Sequence, residues 1–219
     1  MPTKADKSPD AGLIEALPPL IRALAQQGVV RHYRANTTLI EEGDPGDNVF
    51  VVLSGLVRIY CSDGEGREIT LALYGPGEYV GEMSLDGGLR SASVTTEVAS
   101  ACAMVSGSTL RTYLARNPEF ALELIQRLIR RTRLATQSAR SLALLDAYGR
   151  LTRLFDSLAS AHTANARLIT ERLTHRAISQ RIGCTRELVS RILKDLETGG
   201  YITQEDHQYV LLKKLPTKW

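Results

Sequence analysis

Residues Cys184–Glu197 read CTRELVSRILKDLE, and as a helix this stretch has two very different faces. At about 100° per residue, Arg186, Glu187, Ser190, Arg191 and Lys194 fall within an arc of roughly 140°. Leu188, Val189, Ile192, Leu193 and Leu196 fill another arc of similar width. One face packs; the other carries forked donors and a carboxylate, the groups that distinguish base edges.

The segment before it, Leu173–Gly183, reads LTHRAISQRIG. Ile178 and Ile182 supply apolar contacts to Leu188, Ile192 and Leu196 across two crossing helices, and Gly183 permits the corner between them. Thr185 stands where a hydroxyl caps the second helix. Tyr201–Thr203 and Gln208–Leu212 read as strands around the turn EDH. This is a helix–turn–helix followed by a wing. In such a motif the first turns of the second helix enter the major groove of double-stranded DNA. Arg186 and Arg191 suit guanine O6 and N7, and Glu187 suits the cytosine amine. Lys194, with Arg176 and Arg181 on the preceding helix, suits phosphate, which adds affinity and salt dependence without choosing a sequence. Residues 147–219 hold 12 Lys+Arg against 7 Asp+Glu, while residues 1–146 hold 15 against 17, so the positive charge sits with the motif. A solvated helix that carries its charges by chance is the bland alternative; turn, cap, apolar pattern and wing together weigh against it.

Upstream, a helix is predicted over Tyr148–Ala161, with the loop HTANAR (162–167) after it. Pro118–Leu145 has no Gly or Pro beyond Pro118. Along it Leu122, Ile125, Ile129, Thr132, Thr136, Ala139 and Ala143 step by alternating threes and fours, a heptad seam that predicts pairing with a second copy in a homodimer. The alternative is a helix packed on its own domain. The threonines also admit a polar ligand against the seam.

From Val29 to Ser106 the pattern changes to short β-rich runs: TTLIEE, NVFVVLSGLVRIYC, EITLALY, SASVTTE and ASACAMVS. Turns fall at GDPGD, SDGEG, GPGE and DGG. Such spacing predicts a small antiparallel barrel or sandwich. Gly12–Gln27 has helical spacing interrupted at Pro18 and Pro19, and MPTKADKSPDAG reads as a tail without a signal-peptide core. No apolar run approaches the ~20 residues that span a bilayer, so the expectation is a cytoplasmic protein with no membrane partner. Cys61, Cys102 and Cys184 form no CxxC pair, and the four histidines lack ligand spacing, so no metal is expected. A cupin-type enzyme needs clustered histidines in the barrel, and residues 29–106 contain only His32. No P-loop or Ser/His/Asp arrangement is present, and the chain is not read as an enzyme.

The remaining informative stretch is Gly77–Val94, GEYVGEMSLDGGLRSASV. Gly81–Glu82 lies in a turn that can open a short helix, whose free amides suit a phosphate. Arg90 and Ser91 are expected to enter a strand. A carboxylate suits a ribose hydroxyl and a guanidinium suits a phosphate, yet Glu82 and Arg90 are equally a structural ion pair on chemistry alone.

With these motifs in this order, the chain resembles the cyclic-AMP receptor protein (CRP/FNR) family of bacterial transcription regulators. GDPGDNVFVVLSGLVRIY, GEYVGEMSL with RSAS, LALLDAYGR and IGCTRELVSRILKDLE carry the likeness, which covers nearly everything after residue 12. The resemblance implies an α+β fold. An N-terminal antiparallel β jelly-roll sensor (12–116, after a tail 1–11) precedes a long dimerisation helix and hinge (117–146). A winged helix-turn-helix DNA-binding domain (147–219) completes the chain. It implies that Glu82 holds a ribose hydroxyl, that Arg90 and Ser91 hold a cyclic phosphate beside Gly81, and that Arg131, Ala135 and Thr136 lie near the pocket or the base. Arg186, Glu187 and Arg191 match base-reading positions, which implies a palindromic TGTGA-like site. Cyclic AMP is the first-choice effector; cyclic GMP, another small-molecule effector or none stay open, because Ala135 replaces a hydroxyl and the 83–89 loop is short. RNA polymerase is an implied partner, through the surface around His162–Arg167. The family's iron–sulfur cysteine cluster is absent. A sensor module that regulates a protein partner is the competing function.

Overall fold

The computed structural model describes residues 9–163 and 166–216. The chain divides into two compact units, residues 1–61 with 70–131 and residues 62–69 with 132–219.

In the first unit, helices α1 (Pro9–Glu15) and α2 (Pro19–Ala25) lead into the strands. These are β1 (Val29–Tyr33), β2 (Thr38–Ile40), β3 (Val49–Ser54), β4 (Val57–Ser62), β5 (Glu68–Tyr74), β6 (Tyr79–Val80), β7 (Ser93–Thr96) and β8 (Ser100–Val105). A single 3₁₀ turn, Glu82–Asp86, lies between β6 and β7. The strands form two four-stranded sheets, ordered β1-β8-β3-β6 and β2-β7-β4-β5. Strand β3 explains why its run is apolar throughout: five consecutive residues are buried, Val49 to Leu53. Val49, Val51 and Leu53 pack with Ile21, Leu24, Leu110 and Phe120 of the helices. Phe50 and Val52 face the opposite way, onto Val57, Val94 and Cys102. A strand with both faces covered loses its alternation of polar and apolar residues.

Three expectations change here. The tail read through residue 11 gives way to α1 at Pro9; residues 1–8 lie outside the described part. The interruption expected at Pro18 and Pro19 is present: α1 ends at Glu15, and Pro19 occupies N1 of α2. The run 48–61 divides into β3 and β4. Arg90 and Ser91 precede β7 rather than entering it.

Helix α3 (Gly107–Arg116) is capped by the Ser106 hydroxyl, which accepts from the Thr109 amide. It leads into α4 (Pro118–Leu144). On α4, Phe120 and Leu124 are buried in the first unit's core. The seam points elsewhere: Leu122, Ile125 and Ile129 are 56, 52 and 46% exposed, and Thr132, Thr136, Ala139 and Ala143 are exposed as well. The helix thus packs on the first unit along one side and leaves the seam open on another.

The second unit contains α5 (Ala147–Leu158), β9 (Ala159–Ala161), β10 (Arg167–Ile169), α6 (His175–Ile182), α7 (Arg186–Thr198), β11 (Ile202–Glu205) and β12 (Gln208–Leu211). Its sheet is ordered β11-β12-β10-β9. The helix predicted to Ala161 stops at Leu158, and Ala159–Ala161 pairs with Arg167–Ile169. That pairing seats Ile169, fully buried, in a core with Phe155, Ile178, Leu193 and Tyr209. The loop HTANAR is thereby shortened by Arg167, and its residues 164 and 165 lie outside the described ones.

The wing closes on a two-residue turn at Asp206 (φ 48°) and His207 (φ 64°). Both residues take the left-handed conformation that a tight hairpin turn of this hand demands and that non-glycine residues adopt at a cost. Replacing Asp206–His207 by Asn–Gly is expected to stabilise the second unit by about 1 kcal/mol, read as an increase in thermal or urea midpoint; a lower midpoint would refute the strain.

Candidate functional site

The turn after β6 is built around Gly81 at φ 91°. A Cβ there would meet Asn48 O at 2.7 Å and Arg90 Nη1 at 2.9 Å. Only glycine allows the Arg90 guanidinium to lie against this backbone. Arg90 Nη1 donates to Gly81 O at 2.9 Å and to Ser84 Oγ at 2.8 Å. Its Nη2 donates to Asn48 O at 2.8 Å. Arg90 is 8% exposed, and these acceptors are all neutral. Among the described residues, a buried cation therefore has no anionic hydrogen-bond partner. Burial pushes its pKa down, while the charges of Asp47 and Glu82 act in the opposite direction. A guanidinium has five N–H donors; three bonds leave Nε–H and one Nη2–H for something else.

The Glu82–Arg90 ion pair does not form. Glu82 is held by Arg131, whose Nη1 donates to Glu82 Oε1 at 2.5 Å. Arg131 is fixed in turn by Nη2, which donates to Tyr79 O at 2.9 Å, and by stacking over the Tyr74 ring at 4.5 Å. The other carboxylate oxygen, Glu82 Oε2, is buried with no hydrogen-bond partner among the described residues. An orphaned buried acceptor of this kind costs about 1–3 kcal/mol, more when charged. It is the natural partner for a ligand hydroxyl. The donor and acceptor set thus fits a group that carries both an anionic phosphate and a sugar hydroxyl.

Gly81, Glu82, Arg90 and Arg131 come together in the first unit. Ser91 is beside them but exposed, and its hydroxyl donates to Met83 Sδ at 3.5 Å. Ala135 and Thr136 stand exposed on the stretch of α4 that falls in the second unit. Thr136 Oγ1 donates to Thr132 O at 3.0 Å, one turn back. Among the described residues no group of three or more His, Cys, Asp or Glu side chains could hold a metal ion. No described helix is long and apolar enough to cross a membrane.

In the second unit, the corner between α6 and α7 turns on Gly183 at φ 63°. Thr174 caps α6 by accepting from Ala177 N at 3.1 Å, and Thr185 caps α7 by accepting from Leu188 N at 3.3 Å. Val189, Ile192, Leu193 and Leu196 are buried, which leaves Arg186, Glu187, Arg191 and Lys194 exposed on the opposite face. Arg176 is exposed too. Two of the sequence-predicted DNA contacts are otherwise engaged. Arg181 forms a forked pair with Glu171, 2.9 Å through Nη1 and closer through Nη2, so it is not a free phosphate donor. Ser190 is half-buried and donates to Arg186 O at 3.0 Å. His175 Nδ1 lies 2.7 Å from the same hydroxyl. Ser190 therefore braces two helices together.

Arg150 was not legible as a functional residue. Its Nε donates to Ile182 O at 2.6 Å, its Nη2 to Gly183 O at 3.3 Å and its Nη1 to Leu145 O at 2.7 Å. One side chain ties the corner of the motif to the end of α4, and no local pattern announces it.

Residues 30–117 match the cyclic nucleotide-binding domain family, and residues 149–216 match the Crp-like helix-turn-helix domain family. A CRP-like cAMP-activated global transcriptional regulator of Mycobacterium tuberculosis is 32% identical over 200 residues, 89% of each chain. The cAMP-activated global transcriptional regulator CRP of Haemophilus influenzae is 34% identical over 174 residues, 78% of each. Among solved structures, the c-di-GMP responsive global regulator CLP of Xanthomonas campestris superposes with a TM-score of 0.78 at 27% identity. That match covers 88% of this chain and 97% of that one.

Gly81→Ala should destabilise the first unit by about 2 kcal/mol or more, because the new methyl must displace the Asn48 carbonyl or the Arg90 guanidinium at a left-handed position. An unchanged unfolding midpoint would show that the cradle is not tight.

Proposed function

The chain belongs to the CRP/FNR family of bacterial transcription regulators, and on that premise we propose a homodimer whose DNA binding is gated by a cyclic nucleotide, cyclic AMP foremost. One observation carries the effector: Arg90 is a buried cation hydrogen-bonded only to neutral oxygens, beside a buried carboxylate oxygen that lacks a donor. A cyclic phosphate answers the first deficit and a ribose hydroxyl the second. The residues that would hold the nucleotide are Arg90 for phosphate and Glu82, steadied by Arg131, for ribose.

For the base, Ala135 offers no hydroxyl, which leaves Thr136. Its proton goes to Thr132 O, so its lone pairs face outward and suit an exocyclic amine such as that of adenine. The relatives named cAMP-activated support this choice. The missing hydroxyl at 135 favours, as a second reading, a regulator of the same kind with a different effector.

Two copies of α4 paired along the exposed seam would place two α7 helices against successive major grooves, about 34 Å apart on a palindromic, TGTGA-like site. Ligand that binds one seam arrangement more tightly than another supplies the driving free energy for that placement. RNA polymerase is a further partner that this reading expects. Arg186, Glu187 and Arg191 read bases in this account; Lys194 and Arg176 hold phosphate.

Calorimetric titration of the dimer is expected to show uptake of cyclic AMP in preference to cyclic GMP, and Arg90→Leu to abolish it while the dimer stays folded. Uptake that survives in R90L would overturn the site. On DNA selected from a random pool, Arg186→Ala should cost about 1–3 kcal/mol per half-site and relax the preferred sequence. Lys194→Ala should instead weaken all sequences alike and lower the salt slope by about 1 per subunit; sequence-selective loss in K194A would exchange the two roles.

A further inference from the structure

Glu82 is the last member of a row of charges that runs along one side of α4, and the other end of that row has no assigned role. Glu123, Arg127 and Arg131 are spaced by four on the helix, so they share one face. Arg127 Nε and Nη2 bond Glu123 Oε1 at 3.0 and 2.9 Å. Its Nη1 bonds Glu78 Oε2 at 2.8 Å. The same Glu78 oxygen receives Arg131 Nη2 at the longer distance of 3.3 Å. Arg131 Nη1 then bonds Glu82 at 2.5 Å. Arg127 is 14% exposed and lies over the Tyr79 ring at 5.0 Å, so it is a fitted group rather than a loose surface charge.

We infer that Arg127 is a positioning residue for the nucleotide site: by occupying Glu78 it keeps Arg131 on Glu82. Glu78 and Glu82 pull on one guanidinium through different nitrogens, Glu78 through Nη2 and Glu82 through Nη1. If Glu78 had no other cation, its carboxylate would draw Arg131 toward itself and loosen the shorter contact. Arg127 supplies that other cation. The distances agree with the division, since Glu78 sits closer to Arg127 than to Arg131, and Arg131 sits closer to Glu82 than to Glu78. Glu82, firmly held by one oxygen, keeps the other available to the ribose. The inference rests on Glu82 being the ribose partner, as proposed above.

The geometry makes a signed prediction about pairs of substitutions. Arg127→Gln keeps the stem over Tyr79 but frees Glu78 to compete, so cyclic AMP binding should weaken about three- to tenfold. Glu78→Gln removes the competitor and should leave binding unchanged or tighter. The double variant E78Q/R127Q should return to within about twofold of wild type, because nothing remains for Arg127 to restrain. A role confined to packing predicts the reverse, with the double variant at least as weak as R127Q.

The measurement is calorimetric titration of the full-length dimer with cyclic AMP, with circular dichroism as the check on folding. Should R127Q not fold, Arg127→Met takes its place: its stem keeps the apolar contact with Tyr79 but offers Glu78 no cation, and E78Q should again restore binding. R127Q that binds as wild type, or a double variant that is not rescued, overturns the inference alone. Wild-type protein that takes up neither cyclic AMP nor cyclic GMP overturns the nucleotide reading, and this inference with it.

Discussion

Arg90 is carried into the barrel wall by neutral oxygens, and much of what is particular about the first unit follows from accommodating it. A buried charge is expensive unless it is paired or fully hydrogen-bonded. Here the Gly81 and Asn48 carbonyls and the Ser84 hydroxyl solvate the guanidinium. That solvation requires the turn to bring its backbone within bonding distance, which in turn requires a residue without a side chain at position 81. The 3₁₀ turn that follows then delivers Glu82 to the face of α4. Cation and carboxylate are held apart by separate partners instead of cancelling each other. A direct Glu82–Arg90 bond would have been the cheaper resting arrangement; its absence leaves the guanidinium and the carboxylate each with unused hydrogen-bonding capacity.

The helix–turn–helix was the most legible part of the chain because its determinants are local. Apolar spacing, the Gly183 corner and the threonine cap are each written within a few residues. Strand β3 was legible as a strand, though its unbroken apolar character meant two covered faces, which a single run does not distinguish from a helix core. Partner choice was least legible. That Arg131 takes Glu82, that Glu171 takes Arg181 and that His175 meets Ser190 all depend on which side chains the fold brings together across ten to fifty residues. Residue type limits such pairings without selecting among them. The end of α5 was misplaced for a similar reason: Ala159–Ala161 has no strong preference of its own, and pairing with Arg167–Ile169 decides it.

Ser190 shows how a residue can lie on the right face and serve another purpose. Its position on the polar arc of α7 suggests a base contact. The bonds to Arg186 O and His175 instead join the first turn of the recognition helix to the start of α6. Arg150 does the equivalent at the far end of α6, where it joins two carbonyls of the corner to that of Leu145 at the end of α4. Between them, the exposed arginines of α7 are presented on a frame fixed at both ends, and preorganisation of this kind lowers the ordering cost of binding.

The seam of α4 changes chemistry along its length, and this bears on where a dimer of this chain could move. Leu122, Ile125 and Ile129 are large, aliphatic and half exposed in the single chain. Covering each against a partner is worth about 1 kcal/mol or more by the area it removes from water. Thr132, Thr136, Ala139 and Ala143 offer far less, and their small or polar side chains tolerate more than one packing arrangement. Association would therefore be secured at the N-terminal half of the helix, while the half that leads to Leu145 and the Arg150 clamp stays adjustable. The charge row Glu123–Arg127–Arg131 runs beside the firm half and ends where the seam turns polar. On the reading proposed above, a ligand that alters Arg131 would act at the boundary between the firm and the adjustable stretches of this one helix, where a small free-energy difference suffices to change the packing of the seam.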